Sequence, residues 1–299
     1  MGTMTESAKA LLPELIKIRR DFHEYPELSG KEEETAKKVA AYLKEMGCDQ
    51  VIEHVGGHGV IGVIKGASEG GVVALRADMD ALQIQEMNET EYRSRNDGVM
   101  HACGHDNHMT GLLGAAKLLL ERRDQIHGTV KLVFQPAEEL SPVGGSRGML
   151  ESGYLDDAKA VYGLHVWPDL PHGKVGVKAG PLMAATDHFT ITIHGKTAHG
   201  AKPDQGIDAV VLGAQFVMAA QSIVSRKVDP LDNAVVTFGI FNAGTRYNII
   251  AGECVLDGTV RTLNENTRDM IEDSMRKLLD AICLQSGATA DIVYGRGYP

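Results

Sequence analysis

The sequence predicts an α/β protein, accompanied by a smaller α+β domain or carrying it as an insertion. Three observations predict this. Strand-like and helix-like segments alternate through about residue 170, the pattern of helices laid on a largely parallel sheet. From about 181 to 292 the pattern changes to half-buried strands such as HFTITIHG interspersed with long helical stretches. Finally, 299 residues exceed the usual reach of one hydrophobic core, and a composition 43% hydrophobic and 23% charged furnishes ample core and excludes global disorder.

The elements follow in chain order. Leu11, Leu15 and Ile18, then Val39, Leu43 and Met46, recur at helical spacing among charges and predict amphipathic helices over 5–20 and 31–46. Between them HEYPELSG carries a proline and a glycine, so it is a loop. HEYPE is therefore not the zinc-binding HExxH helix that its first letters suggest. Glycine-punctuated apolar runs, VIEHVGGHGVIGVIKG and VVALRAD, predict strands, the latter ending near Asp78. HACGHDNHMTGLLGAAKLLLERR passes from a polar cluster into a helix, and TVKLVFQP and AVYGLHV are further strands separated by a glycine-rich loop. Beyond the bend GVKAGPLMAAT, the segment GIDAVVLGAQFVMAAQSIV predicts a helix, AVVTFGIF and ECVLDGTVR strands, and 266–286 a last helix.

Thirty Lys and Arg against forty Asp and Glu give a net charge of -10, which disfavours a broad nucleic-acid or anionic-membrane surface. Cys48, Cys103, Cys254 and Cys283 are too scattered for a secreted disulfide framework. The first twenty residues lack a signal-peptide core, and no run of roughly eighteen uncharged apolar residues occurs. The expectation is a cytoplasmic protein without nucleic-acid or membrane partners.

The chemistry concentrates in HACGHDNH, where His101, Cys103, His105 and His108 offer imidazole and thiol ligands suited to a borderline-soft divalent cation. His101, Cys103 and His105 alternate, so an extended or turning segment would bring them to one side where a helix would not. A buried cysteine with surface histidines at a helix start is the competing interpretation. QPAEE places Glu138 and Glu139 after a strand, and GLHVWP places His165 at the end of the next; adjacent strand ends converge on a common crevice. One glutamate could bind metal while its neighbour takes a proton from water, in an order that spacing leaves open. Asp78 and Asp80 in RADMD offer a further pair, Asp78 as ligand or as partner to one, with solvated loop acids as the alternative.

RADMDAL, GVMHACGHDNHM, FQPAEE and GLHVWP, in this order, resemble the M20 metallopeptidase and aminoacylase family, in the amidohydrolase branch that includes hippurate hydrolases. HFTITIHGKTAHGAKP and ECVLDGTVRTLNENT extend the resemblance over essentially the whole chain. It implies a mixed-sheet, zinc-peptidase-like catalytic domain beginning at 1–180, an inserted lid and dimerisation domain over 181–292, and a return to the catalytic domain at 293–299. Further implied is a centre of two divalent ions, zinc or manganese before cobalt or nickel, with Cys103, His105, Glu139 and His165 as ligands and Cys103 potentially shared.

Glu138 is then the general base, activating metal-bound water against the amide of an N-acyl amino acid, with Asp78 supporting the centre. By the same resemblance His199 stabilises the oxyanion, often across a lid-mediated homodimer, and Asn248 and Arg261 contact substrate. An arginine suits the α-carboxylate through paired hydrogen bonds. Gln83 stands where the family usually has proline, and Asp204 where it often has histidine, which leaves loop shape and substrate preference open.

Two other readings compete. GGSRG matches the letters of a nucleophile elbow and nominates Ser146 as a serine nucleophile, but without an immediately preceding strand. In addition, the family carries another ligating histidine after the lid, whereas no histidine follows His199. The expectation from this is a C-terminally incomplete catalytic domain, with an inactive or truncated metal-bearing binding protein as the alternative function.

Overall fold

In the computed structural model, which describes residues 3–140 and 144–298, the first helix opens on a reciprocal cap. Thr3 Oγ1 accepts from Glu6 N–H and the Glu6 carboxylate accepts from Thr3 N–H, satisfying two amides that a helix start leaves open. This helix, α1 (Met4–Glu24), and α2 (Glu33–Glu45) turn Ile18, Phe22, Val39 and Leu43 inward. The chain divides into two units, Met1–Lys174 and Val175–Pro299. The sequence placed this change at 180/181 and took 293–299 as the start of a return; in the structure 289–296 form a strand of the second unit.

The first unit is built on a five-stranded sheet of β1 (Gln50–Val55), β2 (Gly59–Lys65), β3 (Ser68–Asp78), β4 (His127–Gln135) and β5 (Ala158–Gly163). Its order is β1-β2-β4-β3-β5; β4, β3 and β5 are parallel, whereas β1 and β2 are antiparallel to their neighbours. The inner strands β2 and β4 are covered on both sides, whereas the edge strand β5 is largely exposed. On one side α1, α2 and α3 (His105–Leu120) pack through Phe22, Leu43 and Leu113 against Val60, Ile64, Leu132 and Phe134. On the other, Met149 of α4 (Gly145–Glu151) packs on Val55, Ile61 and Val133. The glycine-rich stretch read as loop thus contains a short helix, and β5 stops two residues before His165 rather than at it.

The second unit has the antiparallel sheet β11-β6-β10-β8, from β6 (Ala185–His194), β8 (Ala234–Ala243), β10 (Glu253–Thr262) and β11 (Thr289–Arg296). A ribbon pairs β7 (Ala198–His199) with β9 (Ile249–Ile250). Burial alternates residue by residue along β10: Cys254, Leu256 and Val260 face inward, Val255, Asp257 and Thr259 outward. The inward side meets Phe216 and Ala220 of α5 (Ala209–Lys227) and Ile271, Met275 and Leu279 of α6 (Glu265–Ser286). Among the described residues α5 alone is long and apolar enough to cross a membrane; its Leu212, Phe216 and Ile223 fill this core instead.

One charge interrupts the inward side. Asp187 at the start of β6 is buried and receives three N–H···O contacts from Nε and Nη2 of the equally buried Arg268; Nη2 also reaches Gly297 O, Nη1 donates to Glu265 Oε1, and Tyr294 Oη donates to the Asp187 carboxylate. Removing one partner of such a pair strands the other. Arg268→Ala is expected to cost about 3–5 kcal/mol in chemical denaturation, and the joint replacement Asp187→Leu with Arg268→Met to recover most of it.

Candidate metal centre

The parallel strands β3, β4 and β5 end on one side of the sheet, so the residues just after them converge there. β3 ends in Asp78 and is followed by Asp80, and β4 is followed by Glu138 and Glu139. His165 follows β5, and α3 starts beside them with His105. The turn into α3 is made by Gly104 with φ 91, a left-handed conformation, and a Cβ there would lie 2.5 Å from Val166 Cγ2, so glycine is required on both counts.

His105 is the common member of three ligand groups: with Cys103 and His165, with Glu138 and Glu139, and with Asp78 and His108. It is fully buried and neither ring nitrogen makes a hydrogen bond. Its Nε2 stands 3.6 Å from Asp78 Oδ2, 3.9 Å from Glu139 Oε1 and 4.0 Å from Glu138 Oε2, and Cys103 Sγ is 3.3 Å from His165 Nε2. Ligands held about 2.0–2.3 Å from a cation lie roughly 3–4 Å from one another, so these spacings fit a divalent ion between them. Thiol, imidazole and carboxylate together form the donor set of a dinuclear site.

The surrounding contacts orient these ligands. His165 Nδ1 lies 2.6 Å from Val166 O, which makes it the donor and leaves Nε2 with its lone pair toward Cys103. His108 has both nitrogens engaged: Nδ1 with Asp78 Oδ1 at 2.5 Å, and Nε2 accepting from Val166 N–H. It therefore braces Asp78 and the His165 segment. Asp78 also accepts from Arg76, and Asp80 accepts from Ser29 Oγ and Glu139 N–H while its other oxygen lies 3.3 Å from His105 Nδ1.

The electrostatics follow from this crowding. Burial opposes the charge on Asp78, yet His108 and Arg76 hold its carboxyl well below the usual range. Burial likewise works against protonated His105, but Asp80, Cys103 and Asp78 push it up to about 11: a positive charge at this point is strongly favoured. The neighbouring His105 favours the Cys103 thiolate, but burial and Glu139 leave the thiol raised. Glu138 is raised by burial, then by the charges of Glu139 and Asp78.

The sequence of residues 74–293 matches peptidase family M20/M25/M40. An N-acyl-L-amino acid amidohydrolase of Geobacillus stearothermophilus is 44% identical over 98% of this chain and 80% of its own length. The chain belongs to the M20 family, in its amidohydrolase and aminoacylase branch. A solved structure from methicillin-resistant Staphylococcus aureus is similar with a TM-score of 0.95 and 38% identity, over 98% of this chain and 78% of that one. Bacillus subtilis YXEP, described as a dinuclear metal binding peptidase of the M20 family, gives 0.83 and 40% over 97% and 75%. Family and ligand clustering together make this M20 protein a metal-dependent amidohydrolase.

Other residues singled out in the sequence fall elsewhere. His101 is buried with both ring nitrogens unpartnered, burial holds it down at about 4, and it joins none of the ligand groups. The extended segment that the alternation required ends at Gly104; from His105 the chain is helical, which puts His108, three residues on, over the same face. Ser146 sits in the first turn of α4, far along the chain from the end of β4 at Gln135, without the strand that a nucleophile elbow needs.

In the second unit, His199 and Asn248 line one open pocket of about 440 Å³ together with Thr197 and Arg246. Arg261 lies near the other end of β10, whose ten residues separate its two ends by about 30 Å.

A charge cluster missed by the sequence reading lies behind the ligands. His23 is buried at the end of α1, with Nδ1 2.7 Å from Asp106 Oδ2 and Nε2 3.2 Å from Glu86 Oε1. The Asp106 hydrogen bond raises its pKa against burial, while Asp106 and Glu86 are lowered. A raised histidine stabilises fully below its unfolded value of about 6.5 and loses this as pH climbs through the folded value; lowered carboxylates lose theirs in acid. In chelator-treated protein, His23→Gln is expected to reduce the urea midpoint more at pH 6 than at pH 9, with the difference shrinking again toward pH 3.

Proposed function

We propose that this chain hydrolyses the amide bond of N-acyl amino acids, releasing a carboxylic acid and a free amino acid. The observation that carries the reading is Glu138: a half-buried carboxyl of raised pKa, grouped with His105 and with a second glutamate, Glu139, that can take the ligand role. Cys103, His105, Glu139 and His165 would hold two divalent ions, with Asp78 between His105 and His108. Zinc or manganese suits this mixed donor set, and cobalt and nickel share it. When bound, the ions supply Lewis acidity toward the scissile carbonyl and the attacking water.

Glu138 takes the proton of that water and returns it to the departing amine. Burial and the charges of Glu139 and Asp78 raise its pKa, which makes its carboxylate a readier proton acceptor and suits it to both duties. Cys103, Gly104, His165, Val166 and Trp167 line an open pocket of about 430 Å³, largely apolar, in which the acyl group would rest. Trp167 meets His165 edge-on with ring centroids 5.8 Å apart, giving that pocket an aromatic wall.

His199 is assigned to the oxyanion. Its Nδ1 accepts from Ala201 N–H, so the neutral ring carries its proton on Nε2, the form that can donate. Arg261 is assigned to the α-carboxylate and Asn248 to a polar substrate contact. Asn248 precedes the start of β10 and Arg261 lies toward its far end, a separation that accords with a homodimer formed through the second unit in which the two residues serve different sites. The four free cysteines accord with a cytoplasmic setting.

Turnover of an N-acyl amino-acid panel, with and without chelator, tests the reading. Glu138→Gln is expected to keep the metal content and lower kcat by about 10²–10⁴. Undiminished turnover by Glu138→Gln would remove the base assignment, and turnover indifferent to chelation would remove the metal chemistry.

A further inference from the structure

The loop between α1 and α2, set aside as a metal motif, reaches the centre by another route. Glu27 accepts from Thr35 N–H at the start of α2, and Ser29 Oγ holds Asp80. Glu32 is completely buried, and its Oε1 accepts two amides: Gly30 N–H at 2.8 Å and, far away in sequence, Ala137 N–H at 2.7 Å.

Ala137 is the residue before Glu138, and its φ of 49 is a left-handed conformation that an alanine adopts only when its surroundings impose it. Pro136 precedes it. From the other side the start of α4 presses on the turn: Gly145 N–H donates to Ala137 O, and a Cβ on Gly145 would come within 2.1 Å of Pro136 O. Ala137 is thus fixed at its carbonyl by Gly145 and at its amide by Glu32. The direction in which Glu138 and Glu139 leave the turn follows from that conformation.

We propose that Glu32 is the positioning residue for the Glu138–Glu139 pair, acting through the Ala137 amide to hold the left-handed turn that aims both carboxylates at the centre. The inference rests on the metal-hydrolase reading of that centre. What Glu32 supplies to the turn is an acceptor oxygen: Oε1 takes both amides, whereas Oε2 is buried without a hydrogen-bond partner. A glutamine retains the acceptor and nearly the same shape; an alanine removes it.

Cobalt(II) titration of the whole chain by calorimetry, amide hydrogen exchange at Ala137, and N-acyl amino-acid turnover test this together. Glu32→Gln is expected to track the wild type in all three. Glu32→Ala should lose protection at Ala137, bind cobalt about 10–100-fold more weakly and lose kcat on the same scale, with KM little changed because the acyl pocket is untouched. A purely structural role would lower the denaturation midpoint without moving cobalt affinity. If Glu32→Ala does not fold, Glu32→Asp, whose shorter side chain withdraws the oxygen from Ala137, is read in the same way. Wild-type cobalt affinity and kcat in the alanine or aspartate variant overturn the proposal, as does a glutamine variant as impaired as alanine. A wild-type chain that neither binds cobalt nor hydrolyses the panel overturns the hydrolase reading, and this inference with it.

Discussion

Everything in the first unit is arranged around His105, a buried imidazole facing Asp78, Asp80, Glu138 and Glu139. Carboxylates withdrawn from water repel one another and lose hydration, so such a gathering is sustained only where positive charge and hydrogen-bond donors are concentrated around it. Arg76 and His108 serve Asp78, and Ser29 and the Glu139 amide serve Asp80. The same acids, Asp80 and Asp78, with Cys103, raise the pKa of His105 against its burial, so positive charge is favoured here.

This constraint explains why the fold brings separate stretches of chain to one place. A parallel sheet delivers the ends of β3, β4 and β5 to one side, where α3 begins and the α1–α2 loop returns. Each ligand-bearing segment is then tied to a segment remote in sequence: Asp106 to His23, Asp80 to Ser29, Ala137 to Glu32, and Val166 to His108. Ligand geometry is therefore a property of the packed unit, and a change in the α1–α2 loop acts on the centre without touching it.

Sequence patterns disclosed the elements whose periodicity is strong. β6 and β10 alternate cleanly, α1 and α2 carry apolar stripes, and the glycines at 56–59 punctuate β1 and β2. α4 was missed because seven residues are too few to show a helical period and its glycines imitate a loop. In the site, the donor residues were legible by chemical type, but their partners were not. His108 could have been paired with His105 by its three-residue spacing, once the helix start was placed at His105. Nothing local marks Glu32 or His23, whose roles arise from contacts across more than sixty positions of chain.

The glutamate pair shows what such contacts add. By spacing, Glu138 and Glu139 are equivalent candidates for ligand and base. Their backbones are not equivalent: the Glu139 amide is bound to Asp80, the carboxylate that faces His105 Nδ1, so Glu139 is anchored to the same frame as the ligand imidazole. Glu138 follows the strained Ala137 and has a raised pKa because Glu139 and Asp78 repel its charge on top of burial. A ligand must surrender its proton to the cation, whereas a base must be able to hold one. The anchored amide of Glu139 and the raised pKa of Glu138 distinguish two carboxyls that spacing leaves equivalent, and favour Glu138 as the base.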